Sequence, residues 1–137
     1  MKTIEEIINE EGFFMSTTSG VSMYPMLRDR KDTIVIQKKQ HYDKYDVVLY
    51  KRNGMYILHR IIKVLDKGYI IRGDNCLAKE YDIDDESKII GYLAQCYRGE
   101  KKINLKGFKY QLYVRVWHYL FPIRYIYKIL KSKLVRK

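Results

Sequence analysis

Apolar residues near the start of the chain recur at helical spacing: Ile4, Ile7 and Ile8 form one stripe among Glu5, Glu6, Glu10 and Glu11. Thr3 and Glu6 stand at capping-box spacing and Gly12 supplies a stop, so residues 3–11 are predicted to form a short helix. Phe13-Phe14-Met15 follows, then a small-residue run, Ser16-Thr17-Thr18-Ser19-Gly20, that cannot sustain a helix. From there to residue 97 the signals are those of strands: Thr33–Gln37, Asp46–Lys51, Tyr56–Leu65, Tyr69–Arg72 and Lys88–Tyr97. Arg52-Asn53-Gly54 reads as a hairpin turn, because Asn-Gly tolerates positive φ, and Asp66-Lys67-Gly68 turns the chain again. Long helices do not alternate with these strands, which argues against a parallel α/β sheet. The pattern predicts a mainly β, largely antiparallel domain.

Beyond Gly107 the helical period returns. Apolar positions 113, 116, 117, 120 and 121 recur at that spacing, and 123, 126, 127 and 130 continue it past Pro122. Two short helices bent at Pro122 are expected. The chain thus divides into a β-rich domain with a leading helix, 1–100, and a helical tail, 101–137.

Charge sharpens that division. Residues 1–100 hold 16 Lys and Arg and all 16 Asp and Glu, so the net charge of +11 resides wholly in the last 37 of the 137 residues. Cations there alternate with Trp117 and several tyrosines, the composition of a helix lying in a membrane interface. An anionic membrane surface is the partner expected for residues 108–137, and no specific nucleic acid is. The uncharged run Val116–Ile123 is too short to cross a bilayer. The acidic start excludes a secretory signal peptide, and no transmembrane helix is expected. Two cysteines, Cys76 and Cys96, lack metal-ligand spacing and suit a reduced compartment. A cytoplasmic protein, or one peripheral to a membrane, needing no metal or other cofactor, is the expectation.

Three segments place reactive groups at turns or in strands. In Gly20-Val21-Ser22-Met23-Tyr24-Pro25-Met26-Leu27, a glycine and a proline kink the backbone around Ser22 in the manner a nucleophile requires. In Tyr56–Val64, His59 sits within an apolar β-run, where desolvation lowers proton affinity and keeps the imidazole neutral near pH 7. In Arg72-Gly73-Asp74-Asn75, Asp74 is a candidate to orient an imidazole. Each alone is more often a turn or core residue. Their order, Ser then His then Asp across one β domain, carries more information.

Together these segments resemble the signal peptidase I and LexA clan of serine peptidases. Gly20–Leu27 is similar to its nucleophile box, Asp46-Val47-Val48-Leu49-Tyr50 to its Gly-Asp-hydrophobic strand, and Gly73-Asp74-Asn75 to its downstream box. Leu58-His59-Arg60-Ile61-Ile62 resembles the His-Arg box of the endoplasmic-reticulum and archaeal signal peptidases. There a histidine replaces the general-base lysine of bacterial relatives. The resemblance implies a coiled antiparallel β fold, Ser22 as nucleophile, His59 as general base and Asp74 as the orienting carboxylate. Gly20 stands where many relatives place an oxyanion hydroxyl, so the backbone N–H of Ser22 would bear that task. A second acid used by His-type relatives corresponds to Glu80 or Asp82. Met26 replaces the usual Thr or Ala. Lys63, two residues beyond His59, is a rival base that the alignment of boxes disfavours.

The function expected is that of a serine endopeptidase cleaving a precursor protein or leader peptide through a Ser-His dyad. Two alternatives remain. One is a LexA-like repressor module that cleaves itself or only binds, though few residues precede the β domain to read DNA. The other is a nucleic-acid-binding protein using the basic tail.

Overall fold

The computed structural model describes residues 2–18, 23, 26–27, 30–76, 81–83 and 86–135. The chain divides into two compact units, Met1–Leu105 and Lys106–Lys137. The boundary lies beyond the expected one at residue 100, because Lys101–Ile103 forms a strand of the first unit.

The leading helix is α1 (Ile4–Glu11), and its ends follow the sequence signals. The Thr3 hydroxyl accepts the Glu6 N–H at 3.1 Å while the Thr3 N–H donates to the Glu6 carboxylate at 3.4 Å. Gly12 takes φ +87° and ends the helix.

Among the described residues eight strands follow: β1 (Phe14–Thr17), β2 (Asp32–Gln37), β3 (Val47–Arg52), β4 (Met55–Val64), β5 (Tyr69–Arg72), β6 (Tyr81–Ile83), β7 (Ile89–Arg98) and β8 (Lys101–Ile103). All pair antiparallel in one open sheet of order β1-β2-β7-β3-β4-β5-β6, with β8 added to β7. The mainly β, antiparallel expectation is met. Asn53 at φ 51° and Gly54 at φ 78° make the tight β3–β4 hairpin.

Register shifts at Val35/Ile36, Leu49/Tyr50 and Ile61/Lys63 mark three irregularities in the ladders. Extra residues of this kind bend a strand and increase its twist. Gly91 lies opposite Leu49 near the second of them. A Cβ at Gly91 would stand 2.7 Å from Ile36 Cγ2 and 2.8 Å from the Gln37 carbonyl oxygen, so only glycine fits there. The core on one sheet face joins Tyr42, Val48, Tyr50, Ile61, Tyr69 and Ile71.

The second unit holds α2 (Phe108–Tyr119) and α3 (Phe121–Val135). The interruption falls at Leu120, two residues before Pro122. Pro122 occupies the first turn of α3, where its missing N–H costs no helical hydrogen bond. Tyr113 stacks on Trp117 with centroids 6.1 Å apart, and the Arg124 guanidinium lies 4.0 Å from the Trp117 ring centre. Tyr113, Trp117 and Phe121 are half-buried. Among the described residues no helix is long and apolar enough to cross a membrane.

Candidate active site

The β3–β4 ladder sets His59 opposite Val48, so the imidazole shares a sheet face with Val48 and Tyr50. His59 is only 5% exposed, as its apolar strand context predicts. Tyr50 Oη lies 3.2 Å from His59 Nδ1, and the two rings meet edge-on at 6.1 Å. The direction of that hydrogen bond follows the imidazole tautomer. If Nδ1 carries the hydrogen and donates to Tyr50, Nε2 is the basic nitrogen.

Burial pushes the His59 pKa down from 6.5 to about 4; the Asp74 carboxylate opposes this and the Arg52 guanidinium assists it. The ring is therefore neutral near pH 7. Protonation is favoured chiefly by the Asp74 charge.

Arg60, the next residue along β4, faces the opposite side of the sheet and is fully buried. Its Nε and Nη2 donate to the two oxygens of Asp74, both at 2.9 Å. Nη1 donates to the Tyr45 carbonyl at 2.9 Å, and Nη2 also reaches Met26 Sδ at 3.3 Å. Tyr45 presents that carbonyl at φ +76°, a conformation bulky residues seldom adopt. A fully buried guanidinium and carboxylate are tolerable only as such a hydrogen-bonded pair.

A second pair stands nearby. Asp32, fully buried, accepts from Arg98 Nε at 3.0 Å and Nη2 at 3.2 Å, and Arg98 Nη2 donates to the Met26 carbonyl at 2.9 Å. Met26 is thus held at its sulfur by Arg60 and at its carbonyl by Arg98. Met23, adjacent to Ser22 in sequence, accepts the Asp74 N–H on Sδ at 3.3 Å. The Leu27 N–H closes a turn onto the Met23 carbonyl at 2.9 Å.

Met23, Leu27 and His59 line one cleft of about 380 Å³, with Phe14 and Ser16 of β1 on another wall. β1 ends the order of the sheet, and its ladder partner among the described strands is β2. Leu49, Ile57 and Leu58 make the cleft largely apolar.

Of the residues expected to form a site, His59 and Asp74 are brought near enough for the carboxylate to act on the imidazole through its field. Ser22, Gly20 and Glu80 lie outside the described residues. Asp82 is placed in β6 opposite Ile70, and its side chain is likewise outside them. Lys63 is exposed and lies beyond the β4 irregularity, past the segment where His59 sits. Sequence reasoning gave no role to Tyr50, Arg60, Asp32 or Arg98. Two signals were present: Arg60 lies inside the His-Arg box, and Tyr50 ends the Asp46–Tyr50 strand. No family model matches the chain, and no curated protein matches it.

Proposed function

We propose that the chain is a serine endopeptidase of the signal-peptidase type, with Ser22 as nucleophile and His59 as general base. The observation that carries this reading is the placement of His59: a buried imidazole, neutral near pH 7, in the wall of the cleft that Met23 also lines. Met23 follows Ser22 directly in sequence, which supports a nucleophile beside this cleft.

In this mechanism Nε2 of His59 takes the Ser22 proton as Oγ attacks the scissile carbonyl. The proton then passes to the leaving amine, and water releases the acyl group by the same route in reverse. Tyr50 accepts from Nδ1–H and fixes the tautomer, the positioning task that a carboxylate performs in Ser-His-Asp sites. Asp74 contributes its charge while its oxygens stay on Arg60. The backbone N–H of Ser22 serves the oxyanion. The substrate is an extended peptide that adds to the edge of β1 and places apolar side chains in the cleft. Such a peptide is a precursor or leader segment. The cationic 106–137 unit supports a place peripheral to a membrane.

A fluorophosphonate probe tests this reading. It labels the intact chain once, and labelling is lost in Ser22→Ala and strongly slowed in His59→Ala. Undiminished labelling of Ser22→Ala overturns it.

A further inference from the structure

We propose that α2 and α3 lie flat on an anionic lipid bilayer through one continuous apolar stripe, Leu112, Val116, Tyr119, Ile123, Ile126 and Leu130. This deepens the peripheral placement proposed above and is independent of the peptidase chemistry.

The stripe is a product of the joint between the helices. Leu120 N–H donates to the Val116 carbonyl and Arg124 N–H to the Leu120 carbonyl, both at 2.9 Å. Two bonds of helical spacing therefore span the interruption at Leu120. Residues three or four apart lie on one side of each helix, and the row from Leu112 to Leu130 is about 27 Å long at 1.5 Å per residue. Every stripe residue is exposed, Tyr119 at 84% and Ile123 at 64%. An unbroken apolar row of this length marks an interaction surface.

Charge selects the occupant. On a helical projection Arg115 and Lys133 border one side of the stripe, and Lys109 and Lys131 the other. Residues 106–137 contain no Asp or Glu. A second copy of this unit would bring cation against cation. A nucleic acid would answer the cations and leave the stripe in water. An anionic bilayer answers both, receiving the apolar row among its acyl chains while the flanking cations reach the headgroups. Trp117 is on the far side, stacked between Tyr113 and Arg124, and serves as an internal control.

The test is flotation of the full chain with vesicles of phosphatidylcholine containing phosphatidylglycerol, compared with phosphatidylcholine alone. The intact chain floats with the anionic vesicles. Lys109→Glu/Lys131→Glu reduces partitioning by roughly thirtyfold or more. Leu112→Gln/Val116→Gln/Ile123→Gln/Ile126→Gln abolishes it with the melting temperature unchanged, since these side chains face water in the free protein. Brominated acyl chains leave Trp117 fluorescence unquenched, and quench a Tyr119→Trp probe placed in Trp117→Phe. Ser22→Ala floats like the intact chain, so loss of peptidase activity and loss of docking are read separately. Flotation retained by the four-glutamine variant overturns the proposal. So does a lowered melting temperature or a changed oligomeric state in that variant, which would show the stripe covered by protein. Duplex DNA binding that this variant leaves intact, without flotation of the parent, overturns it in favour of phosphate tracking.

Discussion

The Tyr50 hydroxyl stands 3.2 Å from Nδ1 of His59, while both oxygens of Asp74 are taken by Arg60 at 2.9 Å. The imidazole is therefore oriented by a neutral phenol, and the carboxylate that sequence order offers for that task acts from a distance through its charge. A phenol orients the ring without strongly stabilising imidazolium, in keeping with the low proton affinity of His59.

Tyr50→Phe removes the hydroxyl and keeps the ring packing. Turnover should fall about fivefold to tenfold with KM unchanged, the worth of one neutral hydrogen bond. Imidazole 15N shifts provide the direct check: the parent shows the Nδ1–H tautomer and the variant a mixture. An Nε2–H tautomer in the parent would remove the positioning role.

The depressed proton affinity of His59 has a definite sign in both rate and stability. With a folded pKa of about 4, the acid limb of kcat/KM lies near that value, and activity is flat from pH 5 to 8 where His59 alone governs it. For stability, the ring is neutral in both states above pH 6.5. Between 6.5 and about 4 the unfolded chain takes up a proton that the folded one refuses, so stability falls with pH by about 3 kcal/mol. Urea midpoints measured from pH 7 to 4 should show this loss, and His59→Gln should remove that part of it.

Breaking the Arg60–Asp74 pair on one side leaves a buried charge. Asp74→Asn or Arg60→Met should each cost about 3–5 kcal/mol in denaturant titrations, and the double replacement Arg60→Met/Asp74→Leu less than either single change. A cost of the double variant equal to the sum of the singles would show that the two residues act independently.

Gly91→Ala drives a methyl against the Gln37 carbonyl oxygen at 2.8 Å, which the β2 ladder prevents from retreating. A loss of about 1–3 kcal/mol is expected. Gly99→Ala, with open space around it, is strained only by its φ of +65° and should cost less.

The elements legible in the sequence were those with strong local signals. Thr3, Glu6 and Gly12 declared α1, and Asn53-Gly54 declared the central hairpin. Strands β1, β6 and β8 were not legible: Phe14–Thr17, Tyr81–Ile83 and Lys101–Ile103 lack the adjacent isoleucines that mark the equally short β5, and β1 and β6 are held by ladders to partners ten or more positions away. His59 was legible as a buried imidazole because its apolar strand context is local. Its partnership with Tyr50 was not, since a cross-strand neighbour depends on register. The same holds for Asp32 and Arg98, which are 66 positions apart. In the tail, the helical period was visible, but the stacking of Tyr113 on Trp117 and of Arg124 on Trp117 was not.

The placement of β8 bears on how this chain would behave if shortened. β7 is ten residues long; on one side β3 pairs with Ile89–Tyr92, and β8 pairs with Cys96–Arg98. β8 is thus a plug over the half of β7 that β3 leaves bare. A chain ending at residue 100 would expose a short row of unpaired amides and carbonyls, an adhesive seam for another molecule's strand. One ending at residue 105 keeps the seam closed and should remain monodisperse at concentrations where the shorter form clumps.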